Sequence, residues 1–122
     1  LEPKQAIAYN NLAMLSIARK LDLSQAQAWA DTAVALQPSS PEYLDTLASV
    51  QQARGQSRAA VATLHKALGM APERADMLFH LAQLQAQLGE KAMAIEALRK
   101  ALGKGTFAQT AEAKKLLAQL ER

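Results

Sequence analysis

Residues 44–69 read LDTLASVQQARGQSRAAVATLHKALG, and residues 78–103 read LFHLAQLQAQLGEKAMAIEALRKALG. When the two stretches are laid over each other with a shift of 34 residues, they agree at eleven positions without a gap. The agreement includes Gly55 with Gly89 and the closing run Lys-Ala-Leu-Gly. Chance similarity in an alanine-rich chain would not also align the glycines. We therefore interpret the two stretches as copies of an internal repeat, which decides the fold of such a chain.

Each copy predicts two helices joined by a turn. In the middle copy, Leu44, Leu47 and Ala48 fall on one face of a first helix at spacings of three and four residues. Gly55 then ends that helix, because glycine readily adopts the left-handed conformation of a helix cap. The second helix that follows carries its own apolar stripe, which includes Ala60.

A third copy lies upstream, in residues 6–40, and it is one residue longer than the others. The extra residue falls within 20–23, where the later copies turn at glycine, and an insertion in a turn disturbs no packed face. Ser40 before Pro41 predicts one helix start, and Ser24 with Gln27 fits a capping box at another. The predicted helices are 6–20, 24–36, 41–54, 57–70, 74–88, 91–103 and 107–121.

The last of these helices follows a change of pattern after residue 103. Thr106 and Gln109 offer a capping box, and Phe107, Ala113 and Leu116 then place apolar residues on one side. An open stack of repeats needs such a helix to cover its final apolar face.

These residues resemble the tetratricopeptide repeat (TPR) family, whose 34-residue unit has characteristic large, small, glycine and proline positions. The middle copy matches that unit at Leu44, Leu47, Ala48, Gly55, Ala60, Leu64, Ala67 and Pro72. It departs from the unit at Gln51, and the next copy departs at Gln85 and Thr106. The resemblance implies an all-α helical solenoid of repeats 6–40, 41–74 and 75–108 with a capping helix at 107–121. We expect one TPR domain over residues 1–122, and because the chain begins at Leu1 we expect it to be part of a longer protein.

The resemblance also implies a function, because TPR first helices line a concave groove that binds other proteins. We expect another protein, as a peptide or a helix, to be held there. The candidate contact residues are Asn10, Asn11, Met14, Asp45, Ser49, Phe79 and His80. Asparagine can both donate to and accept from a passing backbone, and Met14 and Phe79 offer apolar contact. Glu42, Asp45 and Asp76 make the middle of this lining acidic and favour a cationic segment.

Two narrower comparisons within the family bear on the partner. One TPR class grips C-terminal carboxylates with lysine, arginine and asparagine, but this chain has Asn10, Met14, Thr46, Asp76 and His80 at those places. The clamp is absent. Phrases such as Asn-Asn-Leu-Ala at 10–13 are similar to the C-terminal region of bacterial exosortase and exopolysaccharide-system TPR proteins. That similarity implies an export or assembly scaffold in the periplasm or at the outer membrane, with the cytoplasm as the alternative.

Composition and charge exclude several other functions. The chain has no cysteine, so disulfides and thiol catalysis are excluded. No apolar run reaches the roughly 18 residues of a membrane helix. His65 and His80 have no carboxylates at ligand spacing, so we expect no metal, no cofactor and no enzyme activity. The net charge of +3 is concentrated in residues 91–122, which we interpret as solvated helix faces, and we expect no nucleic acid partner. The alternative function is structural, with terminal repeats that close a longer solenoid and bind no ligand.

Overall fold

A computed structural model describes residues 3–122 of the chain. These residues form seven helices and no strand: α1 (Pro3–Ala18), α2 (Leu23–Leu36), α3 (Pro41–Ala53), α4 (Ser57–Met70), α5 (Ala75–Gln87), α6 (Lys91–Gly103) and α7 (Thr110–Leu120). The predicted helix ends agree with these bounds within three residues. The chain divides into two compact units, unit 1 (Leu1–Met70) and unit 2 (Ala71–Arg122). Within the described residues, no helix is long and apolar enough to cross a membrane.

The first helix of every repeat ends in the same left-handed turn. Lys20, Gly55 and Gly89 occupy equivalent places and have φ angles of 55°, 78° and 79°. In each turn, the N–H of the next residue donates to the carbonyl five residues earlier, at 2.9, 2.8 and 2.8 Å. This pairing satisfies a carbonyl that the end of the helix would otherwise leave without a partner. The first repeat therefore makes the glycine turn with a lysine.

The extra residue of the first repeat lies in that turn, as predicted, and supplies a helix cap. Asp22 precedes α2, and its Oδ1 accepts hydrogen bonds from the backbone N–H groups of Ser24 and Gln25, at 2.9 and 3.3 Å. The prediction that Ser24 caps this helix is therefore wrong, because the Asp22 carboxylate, two residues earlier in the chain, accepts from the N–H groups at the start of the helix. The predicted cap of α3 is confirmed: Ser40 Oγ accepts from the N–H of Tyr43 at 3.3 Å.

Unit 1 is held together by small residues where its helices lie closest. Ala13, Ala26 and Ala30 are fully buried and form a cluster with Leu47 and Val50 of α3. The third helix therefore packs against both helices of the first repeat. A larger side chain at one of these alanines would force the helices apart, at a cost of about 1–3 kcal/mol.

Unit 2 places α7 over the apolar side of α5 and α6. Ala113 of α7 is fully buried in a cluster that includes Ala82, Ala94 and Leu98, and an ion pair between Arg99 and Glu121 joins α6 to α7. The predicted closing helix is thus present and packs as expected.

The start of α7 differs from the prediction. The helix begins at Thr110, and Gln109 precedes it without a side-chain cap hydrogen bond, so the predicted Thr106–Gln109 capping box is wrong. Instead, the Thr110 hydroxyl accepts from the Phe107 N–H at 2.7 Å and lies 2.8 Å from the Phe107 carbonyl. This closed turn directs the Phe107 ring toward Phe79, with a centroid separation of 6.3 Å. The helix therefore begins three residues later than predicted.

Candidate functional site

Unit 1 has an open groove between its first and third helices. The cavity at its centre has a volume of about 270 Å³. The groove is lined by three residues of α1 and three of α3: Met14, Ile17, Ala18, Asp45, Thr46 and Ser49. We call this the α1–α3 groove. α3 packs on α1 through small and apolar residues. The faces of the two helices next to this contact are left uncovered, and they form the groove.

The α3 wall of this groove is polar, and its hydroxyl groups are already engaged as donors. Thr46 Oγ1 donates to the Glu42 carbonyl at 3.2 Å, and Ser49 Oγ donates to the Asp45 carbonyl at 3.1 Å. Both are bonds to the carbonyl four residues earlier in the same helix, a common arrangement for hydroxyl side chains within helices. Asp45 is half-buried beside them.

The α1 wall is apolar. The Met14 side chain is 52% exposed, and Ile17 is half-buried against the unit 1 core. Asn10 lies one turn before Met14, and its Nδ2 contacts the Met14 sulfur at 3.5 Å. The Asn10 Oδ1 atom is buried and accepts no hydrogen bond from the described residues. The predicted role of Asn10, bonding a partner's backbone as both donor and acceptor, therefore needs its side chain to move.

Unit 2 has a second groove, between α5 and α7. Its cavity has a volume of about 540 Å³. The lining combines three glutamine amides, three apolar side chains and one charge of each sign: Phe79, Gln83, Ala86, Gln87, Glu112, Lys115, Leu116 and Gln119. We call this the α5–α7 groove. Half of its lining comes from the closing helix.

The seven predicted contact residues are divided between the two units, with five in unit 1 and two in unit 2. The structure brings Met14, Asp45 and Ser49 together in the α1–α3 groove, while Asn11 is exposed on α1 outside that lining and His80 is half-buried on α5 outside the lining of the α5–α7 groove. Phe79 does border the α5–α7 groove, but it is only 6% exposed and belongs to the unit 2 core.

The sequence analysis missed that the closing helix contributes to a groove. Lys115 and Gln119 lie one turn apart on α7 and line the α5–α7 groove. The interpretation of the charges in residues 91–122 as solvated helix faces gives Lys115 no such role. The amphipathic pattern of α7 could have indicated this position. Lys115 and Gln119 lie next to the apolar stripe of the helix, at the edge of its packed face.

The acidic residues of the predicted lining are in different environments. Arg74 donates two hydrogen bonds to the Asp76 carboxylate, at 3.1 and 2.9 Å, and these bonds hold the pKa of Asp76 below its ordinary value of 3.8. Burial raises the pKa of Asp31 on α2. The charge of Asp76 is thus compensated within its own unit.

The sequence profile described as "Tetratricopeptide repeat" matches residues 46–113. The chain belongs to the TPR family. The predicted family is thereby confirmed. No curated protein sequence matches this TPR chain.

Solved TPR structures share its fold at low sequence identity. The type III secretion chaperone SycD of Yersinia enterocolitica, in complex with a peptide of the translocator YopD, is 18% identical with a TM-score of 0.85, over 93% of this chain and 90% of that one. The TPR2B domain of yeast Sti1, in a complex with pHsp70, is 17% identical with a TM-score of 0.89, over 97% of each chain. The Sgt2 TPR domain of Aspergillus fumigatus is 23% identical with a TM-score of 0.84, over 96% and 77%.

Proposed function

We propose that this TPR chain is a protein-interaction scaffold that holds a peptide or a helix of another protein in its grooves. The observation that carries the proposal is the lining of the α1–α3 groove, where an apolar wall faces a polar one. Binding sites commonly combine apolar contact with a few polar groups that fix orientation. Two proteins of the same fold, SycD and the Sti1 domain, are found in complexes with YopD and pHsp70 partners.

We further propose that the scaffold works within a bacterial export or exopolysaccharide assembly, in the periplasm or at the outer membrane. The support is the similarity of phrases such as Asn-Asn-Leu-Ala (10–13) and Asp-Thr-Leu-Ala (45–48) to TPR proteins of those systems. Localisation of the tagged full-length protein by cell fractionation tests this part independently of the groove. A cytoplasmic protein would remove the export context and leave the scaffold proposal intact.

The scaffold proposal is tested by selecting displayed random peptides on the whole chain. Selected peptides that carry a photo-crosslinker should label α1 and α3, or α5 and α7. Met14→Ala and Gln83→Ala should weaken their binding without lowering the melting temperature, because both side chains are exposed. Lys66→Ala, an exposed site on α4, is the matched control and should change neither. Labels confined to second helices, at His65 and Lys66 for example, would show that the binding face is wrong.

Phe79→Ala is not a suitable variant for testing partner binding. The ring is almost fully buried in the unit 2 core and packs against Phe107. Its truncation should destabilise the fold by about 3–5 kcal/mol. Its role as a partner contact, which its place at the α5–α7 groove allows, stays a prediction.

A second candidate function, terminal repeats that close a longer solenoid, is favoured by an uncovered face of α1. Leu12 and Leu15 are 39% and 45% exposed, although their counterparts in α3, Leu47 and Val50, are 9% and 0% exposed against the preceding helices. Arg19 is exposed and extends the same face.

The counterpart of Arg19 shows which kind of group would pair with it. Arg54, directly after the last residue of α3, donates to Gln27 Oε1 at 2.6 Å, on the second helix of the preceding repeat. The α1 face thus repeats the apolar and charged pattern of an interface that the chain uses internally. A further helix pair with alanines and a polar acceptor would complete it.

Fusing another copy of residues 6–40 directly before residue 6 tests this second candidate. The added pair should cover Leu12 and Leu15 and raise the urea midpoint of unfolding, because apolar surface is removed from water. The same fusion with Leu15→Gln in the original copy is the control and should gain less. If the fusion is no more stable than the parent chain, this face of α1 does not stack against a further repeat.

A further inference from the structure

We propose that the α5–α7 groove binds an extended segment of the partner by its backbone, and that the side-chain amides of Gln83, Gln87 and Gln119 form the hydrogen bonds. The inference rests on the proposed scaffold function and names the form of partner that this groove accepts, which is an extended segment and not a helix. It follows from the exposure of the lining, the hydrogen-bonding groups of glutamine, their spacing and the balance of charge.

The accessible part of this lining is polar. All five polar residues of the groove are exposed, whereas Phe79 is only 6% exposed and Ala86 and Leu116 are half-buried. A helix docks in a groove mainly through apolar side chains that recur every three or four residues. Its own backbone N–H and C=O groups are already bonded to each other. The groove therefore offers a helix little apolar contact and no backbone hydrogen bonds.

The glutamine side chains have the hydrogen-bonding groups of a peptide bond. Each has a carbonyl oxygen that accepts and an NH₂ group that donates. An extended segment presents N–H and C=O groups along both of its edges, as an edge strand of a sheet does. Gln83 and Gln87 lie on α5 and Gln119 lies on α7. Amides on the two walls can therefore bind the two edges of one segment.

The spacing of the glutamines on α5 fits this pairing. Gln83 and Gln87 are four residues apart, which corresponds to a rise of about 6 Å along the helix. In an extended chain, the groups on one edge recur at every second residue, a distance of about 6.6–6.8 Å. The two distances differ by less than about 1 Å, which a flexible glutamine side chain can absorb. Gln83 and Gln87 can therefore bind successive groups on one edge of the segment.

The charges of the lining balance each other. Glu112 and Lys115 are the two charged residues among the eight that line the groove, and they lie three residues apart on α7. A charged occupant is attracted by one of them and repelled by the other, so the lining favours neither sign. A neutral backbone suits this lining, and we expect the bound segment to vary in side chains but to be poor in proline, which has no N–H to donate.

The test uses a capped pentapeptide of alternating threonine and valine, which favour extended backbone, with the ¹⁵N-labelled whole chain. At millimolar concentration it should shift the side-chain amide NMR signals of Gln83, Gln87 and Gln119. The same peptide N-methylated at its threonines loses the N–H donors of one edge. It should bind about fivefold more weakly or worse, the factor expected from one lost hydrogen bond. A helical peptide built on repeats of EAAAK should shift none of these signals.

Variants of the chain test the same hydrogen bonds from the other side. Gln87→Met and Gln119→Met remove the amide and keep an unbranched side chain. Each should weaken binding of the pentapeptide about fivefold without lowering the melting temperature, because both side chains are exposed. Gln25→Met makes the same chemical change at an exposed position of α2. It is the matched control and should leave binding unaltered.

Several results would overturn the inference. A pentapeptide that shifts none of the three glutamine signals, equal shifts with the helical peptide, or binding that is unchanged by N-methylation would each do so. The display selection separates this failure from failure of the scaffold. Selected peptides that label α5 and α7 but bind equally well when N-methylated overturn the extended segment and leave the scaffold standing. A chain that selects no displayed peptide removes the scaffold, while the pentapeptide shifts still decide the inference.

Discussion

Replacing Lys20 with glycine should stabilise unit 1, because this lysine holds a backbone conformation that its side chain disfavours. Lys20 has a φ of 55°, in the left-handed region, at the place where the other two repeats have glycine. A left-handed conformation costs an ordinary L-residue roughly 1–2 kcal/mol. Glycine avoids that cost but loses more freedom on folding, by roughly 0.5–1 kcal/mol. We therefore expect Lys20→Gly to raise the free energy of unfolding by about 1 kcal/mol or somewhat less.

The reciprocal change provides the calibration. Gly55→Lys should cost about the same amount, since a Cβ built at Gly55 meets no heavy atom within 4 Å and the penalty is therefore conformational. Lys20→Ala removes the charge but keeps the Cβ, and it should be close to neutral. Lys20→Asn should fall between alanine and glycine, because asparagine tolerates the left-handed region.

Trp29, the single tryptophan, packs against the unit 1 cluster and makes urea unfolding of this unit observable by fluorescence. A gain of about 1 kcal/mol should raise the melting temperature by about 4 °C. Lys20→Gly and Lys20→Ala with the same gain would assign the effect to charge. If Lys20→Gly leaves the free energy of unfolding unchanged while Gly55→Lys lowers it, the prediction is wrong, because the lysine turn then stores no conformational strain.

Three further outcomes are expected. Ala60→Leu should lower the free energy of unfolding by about 1–3 kcal/mol, because Ala60 is fully buried, whereas Ala59→Leu on the exposed side of the same helix should be nearly neutral in the same urea titration. Deleting residues 107–122 should make the chain associate, as light scattering would show, because it uncovers the apolar face of α5 and α6; a monomeric truncation that melts unchanged would refute this. The lowered pKa of Asp76 should contribute stability above its ordinary pKa, which is lost as the pH falls through the folded-state value. The free energy of unfolding should therefore fall less steeply with decreasing pH in Asp76→Asn than in the parent chain. Identical slopes would show that the hydrogen bonds between Asp76 and Arg74 add no stability.

The candidate site could be predicted only in part. The TPR resemblance placed Met14, Asp45 and Ser49 on the groove side of their helices, and all three line the α1–α3 groove. Their contact with a partner stays a prediction. The resemblance could not show that the Ser49 hydroxyl donates its hydrogen bond to a backbone carbonyl, because this depends on the rotamer that the side chain adopts. Nor could it place Lys115 on a groove, since the closing helix lies outside the repeat and its orientation is set by packing.

The helices, their turns and the family could be predicted from the amino-acid sequence, because these depend on local spacing. Apolar residues three and four apart define helix faces, and Gly55 and Gly89 mark the turns wherever the chain folds. The place of Phe79 in the core could not be predicted in this way, because its burial depends on Phe107, which comes from a distant segment with its own closed turn. Periodicity shows that a side chain faces inward or outward along its own helix, but the neighbour that covers it is fixed by packing alone.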